Sequence, residues 1–263
     1  MLRKIWSGRK VFRPVLAACG LAVGGWMAAD RSLFVSGPVI AQEAASQAAS
    51  QAATGSKPAQ VSVAPGVVTV QQSRIYVFVD KRGVGHQHGV EARLVEGTLA
   101  LGAEKDAGQL VFDMKSFDAD TDAARRYVGL SGSTDAGTRQ AVNDNMRGSA
   151  ILDVNRFPTA TFDVDSAKAT GETSPKGFPS YLLQGNFTLH GTTRPLAIVV
   201  DAERVKGWLH VRGNFTINQT DYGIRPYSKA FGAIGVTNQL RIYGDLYVAP
   251  TDNVVLSQIP QRP

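Results

Sequence analysis

The alternation of apolar and polar residues in the C-terminal part of the chain is the feature that most restricts its fold. In residues 183–196 and 207–246, large apolar residues tend to fall on every second position and polar residues fill the gaps. A two-residue period is that of a β-strand with one face buried and the other face in water. The C-terminal half is therefore predicted to be antiparallel sheet.

The same reasoning predicts one all-β domain with eight strands. The strands are expected near residues 73–80, 90–102, 108–114, 159–167, 180–190, 194–203, 206–217 and 238–248. The apolar residues of these strands that should face inward are Phe162, Val164, Leu183, Phe187, Leu189, Leu196, Ile198, Val200, Leu209, Val211, Phe215, Ile217, Leu240, Ile242, Leu246 and Val248. Eight strands can hide one apolar face by closing into a barrel, which also removes exposed edges. We therefore expect an eight-stranded antiparallel barrel rather than a two-sheet sandwich.

One segment, residues 138–148, departs from the strand pattern. Thr138 can serve as an N-cap, Val142 and Met146 lie four residues apart, and Gly148 supplies a stop. The segment predicts one short helix. An apolar stripe on a helix usually marks packing, so we expect this helix to plug one end of the barrel. The alternative is a mobile lid that controls ligand entry.

Residues 1–41 have the composition of a bacterial export signal. Five basic residues lie among the first thirteen positions, an apolar stretch covers residues 15–29, and small residues precede Gln42. The alternatives are an uncleaved N-terminal anchor, which would keep the protein near a membrane, and lipidation at Cys19. Cys19 is the only cysteine, so cleavage after Ala41 would remove every thiol. The predicted location is the periplasm or cell envelope of a bacterium.

Low-complexity sequence follows the leader. Residues 42–66 are rich in Ala, Ser and Gln, and a segment of this kind cannot bury enough apolar surface to become ordered. We expect a flexible linker there and a flexible tail at 250–263. The folded domain is then residues 67–249.

The net charge of +6 comes almost entirely from the leader. Residues 1–41 contain six Lys and Arg and one Asp, which leaves 22 basic and 21 acidic residues in the remainder. A nearly neutral domain lacks the basic surface that nucleic-acid binding requires. No nucleic-acid partner is predicted.

Three motifs carry a family resemblance. They are Gly-x-x-Thr-Leu-His-Gly-x-Thr-x-Pro at 185–195, Gln-Thr-Asp-Tyr-Gly-Ile-x-Pro at 219–226, and Ile-Leu-Asp-Val-x-x-Phe-Pro at 151–158, the last followed by Phe162. Over residues 67–248 the chain resembles the YceI-like, lipid- or polyisoprenoid-binding family. The resemblance implies a lipocalin-like barrel that encloses a long apolar chain, such as an isoprenoid or a quinone.

A barrel of eight strands is either filled by side chains or holds one small ligand. Burial of an apolar chain is favourable by roughly 0.8 kcal/mol per methylene, so a lipid site needs no polar motif. The inward-facing residues expected to line such a site are Phe162, Phe187, Leu189, Phe215, Ile217 and Ile242. A polar head group would need a partner at the mouth, for which the candidates are His88, Arg93, Arg225 and Tyr227. The alternative is a filled barrel that serves as a structural or stress-response module.

His86 and His88 form the one cluster that resembles a metal site. Two imidazoles two residues apart on an extended chain share a face, and His190 or His210 could supply a third ligand. A metal-dependent enzyme built on His86 and His88 is therefore an alternative function. We expect instead a non-catalytic protein with no metal and no cofactor beyond a bound lipid.

Two further motifs are interpreted structurally. Asp118, Asp120 and Asp122 alternate, but no glycine and glutamate follow at calcium-loop spacing, so a solvated connection is expected. Residues 221–226 contain Gly223, which permits a tight turn. Neither motif predicts a catalytic site. Together with the leader and the family resemblance, the sequence predicts an exported, non-catalytic binding protein.

Overall fold

A computed structural model of the chain describes residues 64–251 and 259. Nine β-strands lie within this part of the chain. The strands are β1 Arg74–Gly83, β2 His88–Leu99, β3 Gly108–Ala119, β4 Thr159–Thr173, β5 Pro179–Leu189, β6 Thr192–Val205, β7 Trp208–Asn218, β8 Ser228–Lys229 and β9 Ile234–Val248. Strands β1 to β7 pair in sequence order, β7 pairs with β9, and β9 returns to β1. All pairs are antiparallel, so eight long strands form a closed ring, and β8 adds a short strand to β9.

The predicted all-β class and the closure of the sheet are confirmed. Every residue of the predicted inward set is buried or half-buried. The strict alternation arises because Cβ atoms of a strand point to opposite faces, and closure places one face inside the ring. The strands β4 and β9 are longer than the sequence pattern indicated, at 15 residues each.

Two α-helices lie between β3 and β4, where one was predicted. They are α1 Asp122–Tyr127 and α2 Ala136–Arg147. Helix α2 is capped by Asp135, whose Oδ1 accepts a hydrogen bond from the Thr138 amide at 3.0 Å, so the helix begins earlier than predicted. It ends before Gly148, as predicted. Helix α1 has six residues, which is too short to show an apolar period.

Packed side chains close one end of the ring. Leu99, Leu101, Leu209 and Val248 are at most 1% exposed. The chain segment before β1 crosses this end, where the Leu99 amide donates to the Gly66 carbonyl at 2.7 Å. This end of the interior is therefore solid protein.

The strands β3 and β4 separate before their ends. Their pairing covers residues 108–113 and 159–164, and helix α2 packs beside the remainder of β3. Asn143 of α2 accepts a hydrogen bond from the Ala119 amide at 2.8 Å, and its amide group donates to Asp118 at 2.7 Å. Helix α2 is thus fixed to the ring by buried hydrogen bonds.

A second separation, here called the β6–β7 gap, lies on the other side of the ring. Strands β6 and β7 pair only over residues 200–205 and 208–213. Beyond that point the Arg194 Nε donates to the Asp221 carbonyl at 2.6 Å, and the rings of Phe187 and Tyr222 are 5.7 Å apart. Side chains and a 3-10 turn, Gln219–Tyr222, therefore span the gap in place of ladder hydrogen bonds.

The predicted leader and most of the predicted linker lie outside the described residues, as does most of the predicted tail. Within the tail, Ile259 is described, and it is buried in the apolar core at 3% exposure. None of the helices in residues 64–251 is long and apolar enough to cross a membrane.

Candidate functional site

The ring encloses an apolar cavity of about 470 Å³. This volume falls within the roughly 300–1,000 Å³ that small-molecule sites occupy. All six residues predicted to line a lipid site do line the cavity, namely Phe162, Phe187, Leu189, Phe215, Ile217 and Ile242. Contact of these side chains with a ligand stays a prediction. Side chains therefore do not fill the interior, contrary to the filled-barrel alternative.

Phe187 stands at the centre of the aromatic wall. Its ring meets Phe112, Phe215 and Tyr222 edge to face, with centroids 6.4, 5.9 and 5.7 Å apart. Edge-to-face pairs of this kind add stability beyond the burial of their area. The contacts fix the rings in place, so the wall of the cavity is already formed without a ligand.

Two glycines create part of the open space. Gly213 of β7 and Gly244 of β9 are directly opposite each other in the ladder, and both line the cavity. A Cβ on Gly244 would meet no atom within 4 Å, whereas a Cβ on Gly213 would lie 2.7 Å from the Val200 Cγ1. Gly213 lets β6 approach closely, and Gly244 leaves room inside the ring. The apolar pattern did not reveal either residue, because a glycine carries no apolar side chain.

The mouth of the cavity lies between α2 and β8. Lining residues that are also exposed mark the boundary with solvent, and these include Ala141 and Asn145 on α2 and Lys229 on β8. Val142 and Met146 of α2 face the cavity beside them. Helix α2 therefore borders the opening and covers part of it.

Polar groups that reach the cavity are concentrated near its mouth. Of the four residues predicted as partners for a head group, His88 and Tyr227 line the cavity. Arg93 and Arg225 are exposed and are not among the residues that line it. His88 and Tyr227 are therefore the two candidates that the ring brings to the cavity.

A buried carboxylate orients His88. Asp120 is 3% exposed, and its Oδ2 accepts from the His88 Nδ1 at 2.7 Å and from the Thr134 hydroxyl at 3.1 Å. Its Oδ1 accepts from the Gly89 amide at 3.2 Å and from the Arg125 guanidinium at 3.1 Å. Because Nδ1 donates to Asp120, the neutral His88 ring keeps an acceptor lone pair on Nε2.

Asp120 is ionised in this setting. Burial alone would raise the pKa of Asp120, but the hydrogen bond and charge of His88, with the bonds from Gly89 and Thr134, lower that pKa to about 2. The residue has a left-handed backbone, with φ of +56°. The prediction of a solvated connection is therefore wrong at Asp120. The spacing of the aspartates in the sequence could not show that Asp120 would contact His88, which lies 32 residues earlier in the chain.

His86 lies next to this pair. The rings of His86 and His88 are 4.5 Å apart, and donor atoms of His86, His88 and Asp120 lie within 4.8 Å of one another. Burial lowers the pKa of His86, and the neighbouring His88 lowers it further. The third group beside the two histidines is thus Asp120. However, both carboxylate oxygens already accept two hydrogen bonds each, one of them from the cation Arg125.

The two histidines proposed as third ligands lie elsewhere. The ring of His190 packs against Phe157 at 4.3 Å. His210 is buried between Glu203, 3.1 Å from its Nδ1, and Asp245. Neither residue joins His86 and His88.

The motif at residues 219–226 forms the turn that the sequence predicted. The 3-10 turn Gln219–Tyr222 ends at Gly223, which has a left-handed φ of +70° that favours glycine. Ile224, which follows, is buried and lines the cavity. The turn therefore shapes the wall next to the β6–β7 gap.

A closed antiparallel sheet of eight strands around an apolar cavity is the architecture of lipocalin-type ligand-holding proteins. The chain belongs to the YceI-like domain family, whose model matches residues 67–246. No curated protein matches the chain in sequence.

Three solved structures illustrate the similarity. BcnA of Burkholderia cenocepacia is 17% identical, with a TM-score of 0.47 over 68% of this chain and 98% of that one. A polyisoprenoid-binding domain from Saccharophagus degradans, implicated in plant cell wall breakdown, is 14% identical, with a TM-score of 0.48 over 70% and 98%. The Campylobacter jejuni YCEI protein is 9% identical, with a TM-score of 0.33 over 65% and 78%.

Proposed function

We propose that the protein is an exported, non-catalytic lipid-binding protein whose ligand is an isoprenoid, a quinone or another long apolar lipid. The observation that carries this proposal is the preformed apolar cavity of about 470 Å³ inside the ring. The resemblance to lipid-binding members of the YceI-like family supports the same ligand class.

The distribution of polar groups favours one orientation of the ligand. The end of the ring opposite the mouth is packed with leucine and valine, so the apolar chain points toward it. A polar head group then lies near the mouth, within reach of His88 Nε2 and the Tyr227 hydroxyl. Burial of about ten methylenes supplies roughly 8 kcal/mol toward binding, from which the cost of immobilising the ligand is subtracted.

The composition of the cavity supports binding rather than catalysis. Among the described residues that line it there is no carboxylate and no cysteine. Its titratable groups are His88 at the start of β2, Tyr227 just before β8, and Lys229 on β8, all near the mouth. The ionised Asp120 is hydrogen-bonded behind His88 and orients that ring.

Native mass spectrometry of the full chain, purified from its own bacterium, tests the proposal. We expect a co-purified apolar molecule of one or a few defined masses. The variant Gly244→Leu, which fills the cavity, should lose that mass. Arg241→Leu places the same side chain on the exposed face of the same strand and should retain it. A wild-type protein that is reproducibly empty would remove the proposal.

Export is tested separately by fractionation of the bacterium. We expect the chain in the periplasm or envelope with Gln42 as its first residue. Recovery of the full-length chain in the cytoplasm would contradict export but would not contradict lipid binding in the cavity.

The metal-dependent alternative has one observation in its favour, the proximity of His86, His88 and Asp120. Zinc bound by this cluster would be lost in the variants His86→Ala and His88→Ala. We expect equal metal content in the wild-type protein and both variants, because Asp120 is already saturated by hydrogen bonds. Stoichiometric zinc that disappears in either variant would establish the alternative.

A further inference from the structure

An exposed apolar surface lies where two loops meet. Val84, in the turn between β1 and β2, is 77% exposed, and Ile234, at the start of β9, is 42% exposed. Phe231, in the loop between β8 and β9, is fully exposed. These three residues are here called the apolar tip. Clustered exposed apolar residues often mark an interaction surface.

The two loops hold the tip in a defined shape. The Val84 amide donates to the Ala233 carbonyl at 2.9 Å, and Gly83 pairs with Ile234 in the ladder. A Cβ on Gly83 would lie 2.2 Å from that same carbonyl oxygen, so only glycine permits this approach. The two loops are thus hydrogen-bonded to each other and form the tip together.

The backbone at the tip is unusual for its residue types. Ala230 and Phe231 have φ values of +52° and +56°, a left-handed conformation that residues with side chains rarely adopt. Strained backbone of this kind is concentrated at functional sites. Here it accompanies a phenyl ring that stands out in solvent instead of packing on the protein.

Positive charge is concentrated in the segments that carry the tip. The segments 80–88 and 223–236 that form the two loops contain Lys81, Arg82, Arg225 and Lys229, all exposed, and a single carboxylate. That carboxylate, Asp80, accepts a hydrogen bond from Gln87 at 2.9 Å. Apolar residues inside a basic border match an anionic bilayer, whose lipid phosphates attract the cations while the acyl region receives the apolar groups.

The tip adjoins the mouth of the cavity. Lys229 is at the mouth, and it pairs with Ile234 of the tip in the β8–β9 ladder. Tyr227 and Val236, on either side of that hairpin, line the cavity as well. A surface in contact with the tip therefore stands beside the opening.

We propose that the apolar tip docks on the surface of an anionic lipid bilayer and brings the mouth of the cavity to the membrane from which the lipid enters. The second half of this statement rests on the proposed lipid-binding function, and the docking itself does not. Removal of the phenyl ring should weaken docking about tenfold or more. Loss of each tip cation should weaken it about fivefold on anionic membranes.

The test uses the full chain with Cys19→Ser and one new cysteine that carries an environment-sensitive fluorophore. One variant is Phe231→Cys at the tip, where the apolar aromatic fluorophore takes the place of the phenyl ring. The matched control is Val95→Cys, an exposed valine (53%) on β2, toward the closed end of the ring. Each is titrated with phosphatidylglycerol–phosphatidylcholine vesicles and with pure phosphatidylcholine vesicles. We expect a several-fold, blue-shifted rise in emission at position 231 with the anionic vesicles, and no rise at position 95.

A charge variant completes the test. Lys81→Gln with Arg82→Gln, in the Phe231→Cys protein, should shift the vesicle titration to higher lipid concentration by more than tenfold on anionic vesicles. Equal emission at positions 231 and 95, including the case in which the leader alone holds the protein on the vesicle, would overturn the proposal. A rise at position 231 with protein concentration alone would identify a second copy of the chain as the partner and would also overturn it.

The outcome separates the two proposals. A protein that contains no lipid by native mass spectrometry but responds at position 231 docks on membranes without the proposed lipid-binding function. A protein that contains lipid but shows no response at position 231 keeps the function and loses the docking surface.

Discussion

Gly244 offers a way to fill the cavity without disturbing the ring. It lines the cavity, its backbone is ordinary β-strand, and a Cβ built on it meets no atom within 4 Å. The variant Gly244→Leu should therefore fold, and its side chain should occupy space that the ligand would otherwise use.

The size of the effect follows from the four added carbons. Each displaced methylene of the ligand represents roughly 0.8 kcal/mol, so four represent about 3 kcal/mol, or about two orders of magnitude in Kd. The apo variant should meanwhile become more stable by roughly 2 kcal/mol, because a leucine is buried and a strand glycine is removed. For a domain of this size that is a rise in Tm of about 4–8 °C.

Two measurements on the same preparations check this reasoning. Titration with a fluorescent isoprenoid analogue gives the Kd, and thermal denaturation of delipidated protein gives Tm. Gly244→Ala, with one added carbon, should weaken binding about fourfold. Gly213→Ala is the contrasting control and should lower Tm, since its Cβ would lie 2.7 Å from Val200. Unchanged affinity in Gly244→Leu, with a raised Tm, would show that the lipid binds outside the cavity.

Three other changes test the structure around the site. Asp120→Asn removes a carboxylate whose pKa is lowered from 3.8 to about 2 in the folded state. Its contribution is complete above pH 3.8 and is lost as the pH falls toward 2, so the stability difference between wild type and variant should shrink by roughly 2 kcal/mol between pH 6 and pH 2 in urea titrations. A difference independent of pH would refute the ionised state. Gly89→Ala should lower Tm, because a Cβ would lie 2.9 Å from the backbone of Ala124 in α1, whereas Gly85→Ala has open space and should be neutral. Equal Tm values for these two variants would contradict the packing of α1. Phe187→Ala should destabilise the protein by roughly 3 kcal/mol and shift the co-purified lipids to larger masses, and an unchanged mass distribution would place the ligand away from this ring.

The strand faces were predictable because a two-residue period has one physical cause. Large apolar residues at 183, 187 and 189 of β5, and at 215 and 217 of β7, had to share a face whatever their neighbours were. Closure then placed that face inside. This is why six lining residues could be named from the sequence.

The hollow interior was beyond the reach of the same reasoning. Whether eight strands enclose an empty space depends on the combined volume of the side chains that opposite walls point inward. The two-residue period of a single strand does not give that volume. Gly213 and Gly244 lie 31 positions apart, and only the ladder between β7 and β9 brings them together. The buried Asp120 was missed for a similar reason, since its partners His88 and Arg125 come from a distant strand and from a helix with too few turns to predict.

The β6–β7 gap is a part of the ring where local widening would break few backbone hydrogen bonds. In a fully laddered wall, any widening must break several backbone hydrogen bonds at once. At this place side-chain contacts take the place of the ladder, and they include the hydrogen bond from Arg194 and the aromatic contacts of Phe187 with Phe215 and Tyr222. A methyl-branched chain, which is thicker than a straight one, can therefore be accommodated by local displacement of side chains. The gap therefore limits the cross-section of the proposed ligand less strictly than a fully laddered wall would.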